Sequence, residues 1–169
     1  IEDAAHSIYA KYNGKFIGNT NNPVSFSFYA NKNMTTLGEG GMLTGTDEFI
    51  RKARVLSLHG LSKDAWKRFD KSGSPHYEII TPGFKYNMTD VQAAVGIVQL
   101  DKLSEFQSKR SLIASLYNQS FENVDALEIP SCMPNVEHAW HLYILRLNLD
   151  MISINRDTFM QELKQISIG

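Results

Sequence analysis

The chain has one cysteine, no long apolar run and almost no net charge, and each scarcity excludes a class of protein. The single cysteine, Cys132, excludes an internal disulfide and favours a reducing compartment such as the cytoplasm. No apolar run reaches the ~20 residues of a membrane-spanning helix. A formal net charge of -1 gives no general electrostatic reason to bind nucleic acid or an anionic membrane. We therefore expect a soluble cytoplasmic protein with neither partner.

Composition is otherwise ordinary for a globular protein. The 169 residues are 43% hydrophobic and 21% charged, which suits one domain with a core and the beginning of a second. The chain opens at Ile1 without a signal peptide and stops at Gly169 where another strand would begin. We expect an internal fragment of a longer protein.

A short apolar strand leads into a polar turn that carries a lysine. Residues 24–28 alternate between apolar and serine side chains, and glycines at positions 38, 40 and 41 predict a tight return. Lys32 then lies at the carboxyl edge of the strand, where α/β sheets bind ligands. A lone loop lysine is usually a solvated charge, so Lys32 alone is weak evidence.

An acidic residue is predicted at a similar strand end. Asp3 closes a strand that begins at Ile1, and its carboxylate could cap the following turn or hold a cationic ring nitrogen. Pyridoxal phosphate needs both a lysine and an acidic partner for its ring nitrogen. The pair Asp3 and Lys32 therefore favours the second interpretation.

Five blocks in order resemble the DegT/DnrJ/EryC1/StrS sugar aminotransferases, a family of fold-type I pyridoxal-phosphate enzymes. The resemblance implies an α/β fold: part of a large, mostly parallel sheet domain over residues 1–125, and a truncated small α+β domain over residues 126–169. The blocks are Glu2-Asp-Ala-Ala-His6, Ser25 to Asn33 running into Gly38-Glu-Gly-Gly41, Leu58-His-Gly60, Gly83 to Asp90 and Gln92-Ala-Ala94.

The resemblance assigns roles residue by residue. Lys32 matches the catalytic lysine that forms a Schiff base with the cofactor, and Asp3 matches the carboxylate facing the pyridine nitrogen. Ala5 would lie against the ring, His6 would reach the phenolic oxygen, and Ser27 would hold the phosphate. Relatives often have glutamine at the position of His6.

The family also implies a homodimer with shared active sites. Many relatives have asparagine where Lys85 stands and arginine where Asn87 stands. The contact to the partner's phosphate group is therefore open between Lys85 and Asn87, and we take Asn87 as the candidate cofactor ligand.

The implied reaction is transfer of an amino group, from glutamate, to a nucleotide-linked keto sugar. A dehydratase relative is one alternative, which Lys32 disfavours because those enzymes typically replace the lysine. A catalytically silent module is another, which retention of both Asp3 and Lys32 disfavours. By resemblance, the turn that cradles the phosphate precedes Ile1, so we expect the isolated chain to be inactive.

Local patterns predict the helices and the remaining segments. Thr46 is expected to begin a helix with an apolar stripe (Phe49, Ile50, Ala53 and Leu56) and a solvated cationic face (Arg51, Lys52 and Arg54). A capping box at Thr89 predicts a second helix with an apolar face formed by Val91, Ala94, Val95 and Val98. Asn155 is expected to cap a third helix, which buries Phe159, Leu163 and Ile166, after a strand over residues 140–147. Residues 61–82 form a long loop, either a substrate lid or a peripheral excursion. Core or polar surface roles are favoured over metal binding for four histidines: His59, His76, His138 and His141.

Overall fold

The computed structural model describes residues 1–62 and 78–168. Most of the predicted loop over residues 61–82, including His76, lies outside the described residues. Its two described ends meet, because Ser62 N–H donates to the Glu78 carbonyl at 2.8 Å and Leu61 bridges to Ile79.

A three-stranded sheet positions the predicted site. It contains β1 (Glu2–Asp3), β4 (Val24–Ser27) and β5 (Gly41–Thr44) in the order β1-β4-β5. β1 and β4 run parallel with Asp3 opposite Ser25, whereas β4 and β5 are antiparallel. The first and third residues of β4, Val24 and Phe26, are buried, as the alternation predicts. The strands at Asp3 and before Lys32 are confirmed.

Two smaller sheets complete the strand pairing. β2 (Lys11–Tyr12) pairs with β3 (Lys15–Phe16) and β7 (Val136–Glu137), and β6 (Leu127–Glu128) pairs with β8 (Arg146–Leu147). All of these pairings are antiparallel. Within the described residues, the parallel arrangement is thus limited to β1 and β4.

Helix α1 (Asp47–Ser57) begins as the sequence predicts. The Thr46 hydroxyl accepts from Phe49 N–H at 3.3 Å and caps the helix. The cationic side chains of this helix are exposed, which agrees with a solvated face: Arg51, Lys52 and Arg54. The predicted apolar stripe is half-buried: Phe49, Ile50, Ala53 and Leu56.

Helix α2 (Asp90–Phe121) is one continuous helix of 32 residues. Thr89 and Gln92 form the predicted capping box at its start. The predicted apolar face, however, is largely exposed: Val91 is 66% and Val98 52% accessible. The buried positions of α2 are instead Gly96, Leu103 and Ala114.

The segment after α2 differs from the sequence prediction. Of residues 140–147, only Arg146 and Leu147 form a strand, because Trp140 has a backbone φ of 48°, outside the β region. Helix α3 (Arg156–Gln165) is capped by Asn155 as predicted. Ile166 lies beyond its end and is exposed, so its predicted burial is wrong. A boundary near residue 125 stays a prediction.

The main core lies between the three-stranded sheet and α2. It is formed by Ala4, Val24, Phe26, Phe28, Met34 and Leu103. Phe28 and Met34 precede and follow Lys32 in the sequence, so the segment that carries Lys32 is anchored in the core on both sides. No described helix is long and apolar enough to cross a membrane.

Candidate active site

The site forms where the parallel strands β1 and β4 end. β4 is followed by a turn over residues 29–40, closed by the hydrogen bond from Phe28 N–H to the Gly40 carbonyl at 2.8 Å. Within it, Lys32 N–H donates to the Tyr29 carbonyl at 2.9 Å. A β-carbon at Gly40, where φ is 148°, would collide with the Thr36 hydroxyl, so the turn needs glycine there.

Lys32 and His6 come together across this edge. Lys32 Nζ lies 2.7 Å from His6 Nε2, although the residues are 26 positions apart. Lys32 is half-buried and His6 is exposed. An ammonium group can only donate, so His6 Nε2 accepts when Lys32 is charged. The structure therefore joins two of the predicted site residues in one acid–base pair.

Asp3 uses one carboxylate oxygen in the turn after β1. Asp3 Oδ1 accepts a hydrogen bond from Ala5 N–H at 3.0 Å. In residues 1–62 and 78–168, Oδ2 accepts no hydrogen bond. Asp3 is exposed, so this second oxygen is accessible to another partner.

Ser27 lies at the end of β4, one strand away from Asp3. Its hydroxyl oxygen accepts from Tyr29 N–H at 3.3 Å. The hydroxyl proton can be donated elsewhere, because a serine hydroxyl both accepts and donates. Ser27 thus offers the donor that a phosphate oxygen requires.

Asn33 and His141 are site residues that the sequence did not reveal. Asn33 is 4% exposed, and its Nδ2 donates to the Ala139 carbonyl at 2.7 Å. Its Oδ1 lies 3.1 Å from His141 Nδ1. The His141 ring in turn lies 4.2 Å from the His6 ring, centroid to centroid. In the sequence, only the position of Asn33 directly after Lys32 indicated that Asn33 belongs to the site.

Burial changes the ionisation of the histidines near the site. Burial lowers the pKa of His141, and electrostatic interactions with His6, Lys32 and Arg110 lower this pKa further. Burial also lowers the pKa of His138, whose Nδ1 accepts from Trp140 N–H at 2.9 Å. Neutral imidazoles are therefore favoured on this side of the site.

Lys85 and Asn87 contact each other. Lys85 Nζ donates to Asn87 Oδ1, and Asn87 Nδ2 donates to the Met88 carbonyl at 3.3 Å. In the described part of the chain, no hydrogen bond joins either side chain to Lys32. Asn87 instead borders an apolar concavity of about 1000 Å³ between α1, β5 and residues 84–88.

Metal binding has no support in the described ranges. Across residues 1–62 and 78–168 there is no group of three or more histidine, cysteine or acidic residues that could hold a metal ion. His138 and His141 each use Nδ1 in another contact, with Trp140 N–H and Asn33 Oδ1 respectively.

The side chains at this edge fit pyridoxal phosphate chemically. The cofactor requires an amine, an acidic group for its ring nitrogen and hydrogen-bond donors for its phosphate. Lys32, the free oxygen of Asp3 and the Ser27 hydroxyl supply these groups at two adjacent strand ends. The chemistry of these side chains therefore suits a protein that binds pyridoxal phosphate.

The chain belongs to the DegT/DnrJ/EryC1/StrS aminotransferase family, whose model matches residues 1–169. Aminotransferases of this family depend on pyridoxal phosphate, which confirms the predicted cofactor. The resemblance found in the sequence is therefore correct over the full length of the chain.

Named relatives and solved structures agree with this assignment. The chain is 52% identical to the uncharacterized protein MJ1066 of Methanocaldococcus jannaschii and 45% identical to the spore coat polysaccharide biosynthesis protein SpsC of Bacillus subtilis. All of this chain is matched in both cases, but it spans 44% of either relative. Spr1654 of Streptococcus pneumoniae, a proposed sugar aminotransferase solved in a PLP-form, shares 34% identity. Its TM-score is 0.82, with 97% of this chain and 41% of that one covered.

Proposed function

We propose that the whole protein transfers an amino group from glutamate to a nucleotide-linked keto sugar with pyridoxal phosphate as cofactor. The observation that carries the proposal is the contact of Lys32 Nζ with His6 Nε2, at the edge of the sheet where Asp3 ends the neighbouring strand. A sugar substrate is supported by the family and by the description of SpsC as a polysaccharide biosynthesis protein.

Each proposed residue has a task that its surroundings suit. When bound, pyridoxal phosphate supplies an electron sink for a substrate carbon that loses a proton. Asp3 would bind the ring nitrogen through Oδ2 and stabilise its positive charge. Lys32 Nζ would hold the cofactor and then carry the proton to and from the substrate carbon.

The other predicted ligands complete the proposed binding site. Ser27 Oγ would donate to the phosphate, and the small side chain of Ala5 would leave room for the ring. His6, which already contacts Lys32, would reach the phenolic oxygen. These groups fix the cofactor from several sides, as positioning at a reaction centre requires.

We further propose a cytoplasmic homodimer in which Asn87 or Lys85 reaches the partner's phosphate group. The apolar concavity beside Asn87 and the exposed side chains Phe84 and Tyr86, stacked at 4.9 Å, support an interface at residues 84–88. The exposed free thiol of Cys132 supports a reducing compartment.

Reductive trapping tests the central assignment. The full-length protein is incubated with pyridoxal phosphate, reduced with borohydride, digested and mapped by mass spectrometry. The label is expected on Lys32, because a Schiff base forms at the lysine that the site holds near the cofactor aldehyde. The variant Lys32→Arg should lose both the label and transamination.

Two other lysines serve as matched controls. Lys11 is engaged by Glu137 at 2.8 Å and Lys85 by Asn87. Lys11→Arg and Lys85→Arg should keep the label on Lys32. A label that maps to Lys11 or Lys85 in the wild-type protein would contradict the proposal.

A further inference from the structure

The buried amide of Asn33 has only one orientation that satisfies both of its contacts. The Ala139 carbonyl can only accept a hydrogen bond, so the amide nitrogen of Asn33 must face it, at 2.7 Å. The amide oxygen is therefore the atom that faces His141 Nδ1, at 3.1 Å. Because Asn33 is buried, water does not compete for either contact.

This orientation determines which nitrogen of His141 carries the proton. The Asn33 oxygen has no hydrogen to donate, so His141 Nδ1 must be protonated for the contact to be a hydrogen bond. A neutral imidazole has one protonated nitrogen, which leaves Nε2 with a lone pair. The neutral form is favoured, since burial and electrostatic interactions with His6, Lys32 and Arg110 lower the pKa of His141.

We propose that Asn33 is a positioning residue that holds His141 in its Nδ1–H tautomer, so that Nε2 accepts a hydrogen bond from a hydroxyl or amino group of a substrate at Lys32. This rests on the proposed function. The His141 ring lies against His6, whose Nε2 contacts Lys32 Nζ, so His141 belongs to the same edge of the sheet. In the described ranges Nε2 has no hydrogen-bond partner, which leaves it for a ligand.

The proposal adds a second histidine to the site, as a neutral hydrogen-bond acceptor and not as a cation. A protonated His141 would attract the carboxylate of an amino acid. A neutral His141 with a free Nε2 would instead recognise a hydrogen-bond donor, of which a sugar hydroxyl is the most abundant kind on the proposed acceptor.

The first test measures the tautomer directly and requires no catalytic activity. The full-length protein is labelled with ¹⁵N-histidine, and the His141 signals are assigned by comparison with His141→Gln. At pH 7.5 we expect a protonated Nδ1 and an unprotonated Nε2 in the wild-type protein. In Asn33→Ala the two nitrogens should move toward the mixture seen for free imidazole. A wild-type His141 that is protonated at Nε2 would overturn the proposal.

The second test separates recognition from mere packing by two variants of His141. Glutamine places an amide oxygen close to the position of Nε2, whereas asparagine reaches only as far as Nδ1. His141→Gln should keep the KM of the recognised substrate within about threefold, and His141→Asn should raise it about tenfold, with kcat changed less, as expected for one lost hydrogen bond. An equal rise in KM in both variants, or no rise in His141→Asn, would overturn the role of Nε2.

The two half-reactions identify the source of the donor group. A raised KM for the keto sugar alone assigns the donor to a sugar hydroxyl, and a raised KM for the amino donor alone assigns it to the amino group. Borohydride labelling of Lys32 is repeated in each variant. If the wild-type protein is not labelled at Lys32, the proposed function fails, while the nitrogen signals still decide the tautomer. If Asn33→Ala does not fold, the His141 pair decides the proposal.

Discussion

At the scale of single residues, the carboxylate of Asp3 serves the turn and remains available to a ligand. The sequence left a choice between a turn cap and a carboxylate for a ring nitrogen. Oδ1 makes the cap with Ala5 N–H, while Oδ2 stays free among the described residues. The two interpretations are therefore compatible, because each uses a different oxygen.

The substitution Asp3→Asn separates these two functions. Asparagine keeps an oxygen for Ala5 N–H, so the turn and the thermal midpoint should stay unchanged. It removes the negative charge, so the activation free energy of the single turnover should rise by about 3 kcal/mol and the rate should fall accordingly. This is a typical loss for one preorganised electrostatic contact. Stopped-flow absorbance of each half-reaction measures this rate. An unchanged rate in a protein labelled at Lys32 would contradict the role.

A second prediction at this scale concerns the ionisation of His141. Replacing Arg110 by glutamine removes one of the positive charges that lower the pKa of His141, so this pKa should rise. Imidazole NMR signals followed against pH measure the change. Lys109→Gln is the control, since Lys109 pairs with the exposed Glu105 at 2.6 Å and is not among the groups acting on His141.

The sign of the pH effect on stability follows from the same shift. A lowered pKa in the folded protein means that the unfolded chain binds the His141 proton more readily. The contribution of neutral His141 is thus complete above pH ~6.5, the ordinary value for histidine, and is lost as the pH falls through the lowered pKa. Arg110→Gln should make stability less sensitive to acid over this window, and the same pH slope in both proteins would argue against it.

At the scale of elements, helix starts could be predicted from the sequence and buried faces could not. Capping at Thr46, Thr89 and Asn155 depends on side chains within three residues, so the local pattern suffices. The buried face of α2 depends on distant partners, and the predicted face proved exposed. The prediction of a strand beginning at Trp140 failed for the same reason, since the residues on either side of Trp140 contact Asn33, which is distant in the sequence.

The candidate site likewise contains residues that the sequence predicted and residues that only the structure revealed. Motifs identified Lys32, Asp3, His6 and Ser27, which lie at the ends of two neighbouring strands. Asn33 and His141 are 108 positions apart, and no local pattern encodes a contact of that separation. The sequence therefore predicted the candidate groups at the strand ends but not the buried contact between Asn33 and His141.

The contact between α2 and the Lys32 turn can be tested at Gly96. A β-carbon there would lie 2.9 Å from Thr36 Cγ2, and Thr36 is fully buried. Gly96→Ala should destabilise the protein by about 1 kcal/mol, the cost of overpacking less the gain in helix propensity. Chemical denaturation of the protein measures this change.

Thr36→Ser provides the matched rescue. Serine keeps the hydroxyl that donates to the Glu39 carbonyl at 2.6 Å but lacks Cγ2. In the double variant, Gly96→Ala should therefore be neutral or stabilising. A cost that is the same with serine and with threonine at position 36 would mean that this contact does not limit the packing.

At the scale of the whole molecule, residues 136–141 contact the beginning of the chain through the pairing of β7 with β2 and through side chains, of which two links differ strongly in burial. Lys11 Nζ pairs with Glu137 at 2.8 Å on the surface, and the buried Asn33 donates to the Ala139 carbonyl. An exposed ion pair is screened by water, whereas a buried carbonyl without its donor is costly. The hydrogen bond between Asn33 and Ala139 should therefore contribute more to the free energy of unfolding than the ion pair.

Two substitutions compare the links. Glu137→Gln should lower the free energy of unfolding by less than about 1 kcal/mol, with the effect shrinking at high salt. Asn33→Leu should cost about 2 kcal/mol and be insensitive to salt, because it leaves the Ala139 carbonyl unsatisfied. Denaturant titration at two salt concentrations measures both, and a larger loss for Glu137→Gln would contradict the ranking.

The contact between Asn33 and Ala139 also sets the order in which parts of the candidate site form during translation. Its partners are separated by 106 residues, so Asn33 emerges during translation well before Ala139 exists. At about 5–20 residues per second this interval lasts on the order of 5–20 s. During that time the strands next to Lys32 can pair locally, but the amide that orients His141 has no partner. The nascent chain therefore contains the proposed catalytic lysine early and forms the contacts of Asn33 late, so a ribosome stalled before residue 139 would carry Lys32 without the Asn33–Ala139 contact.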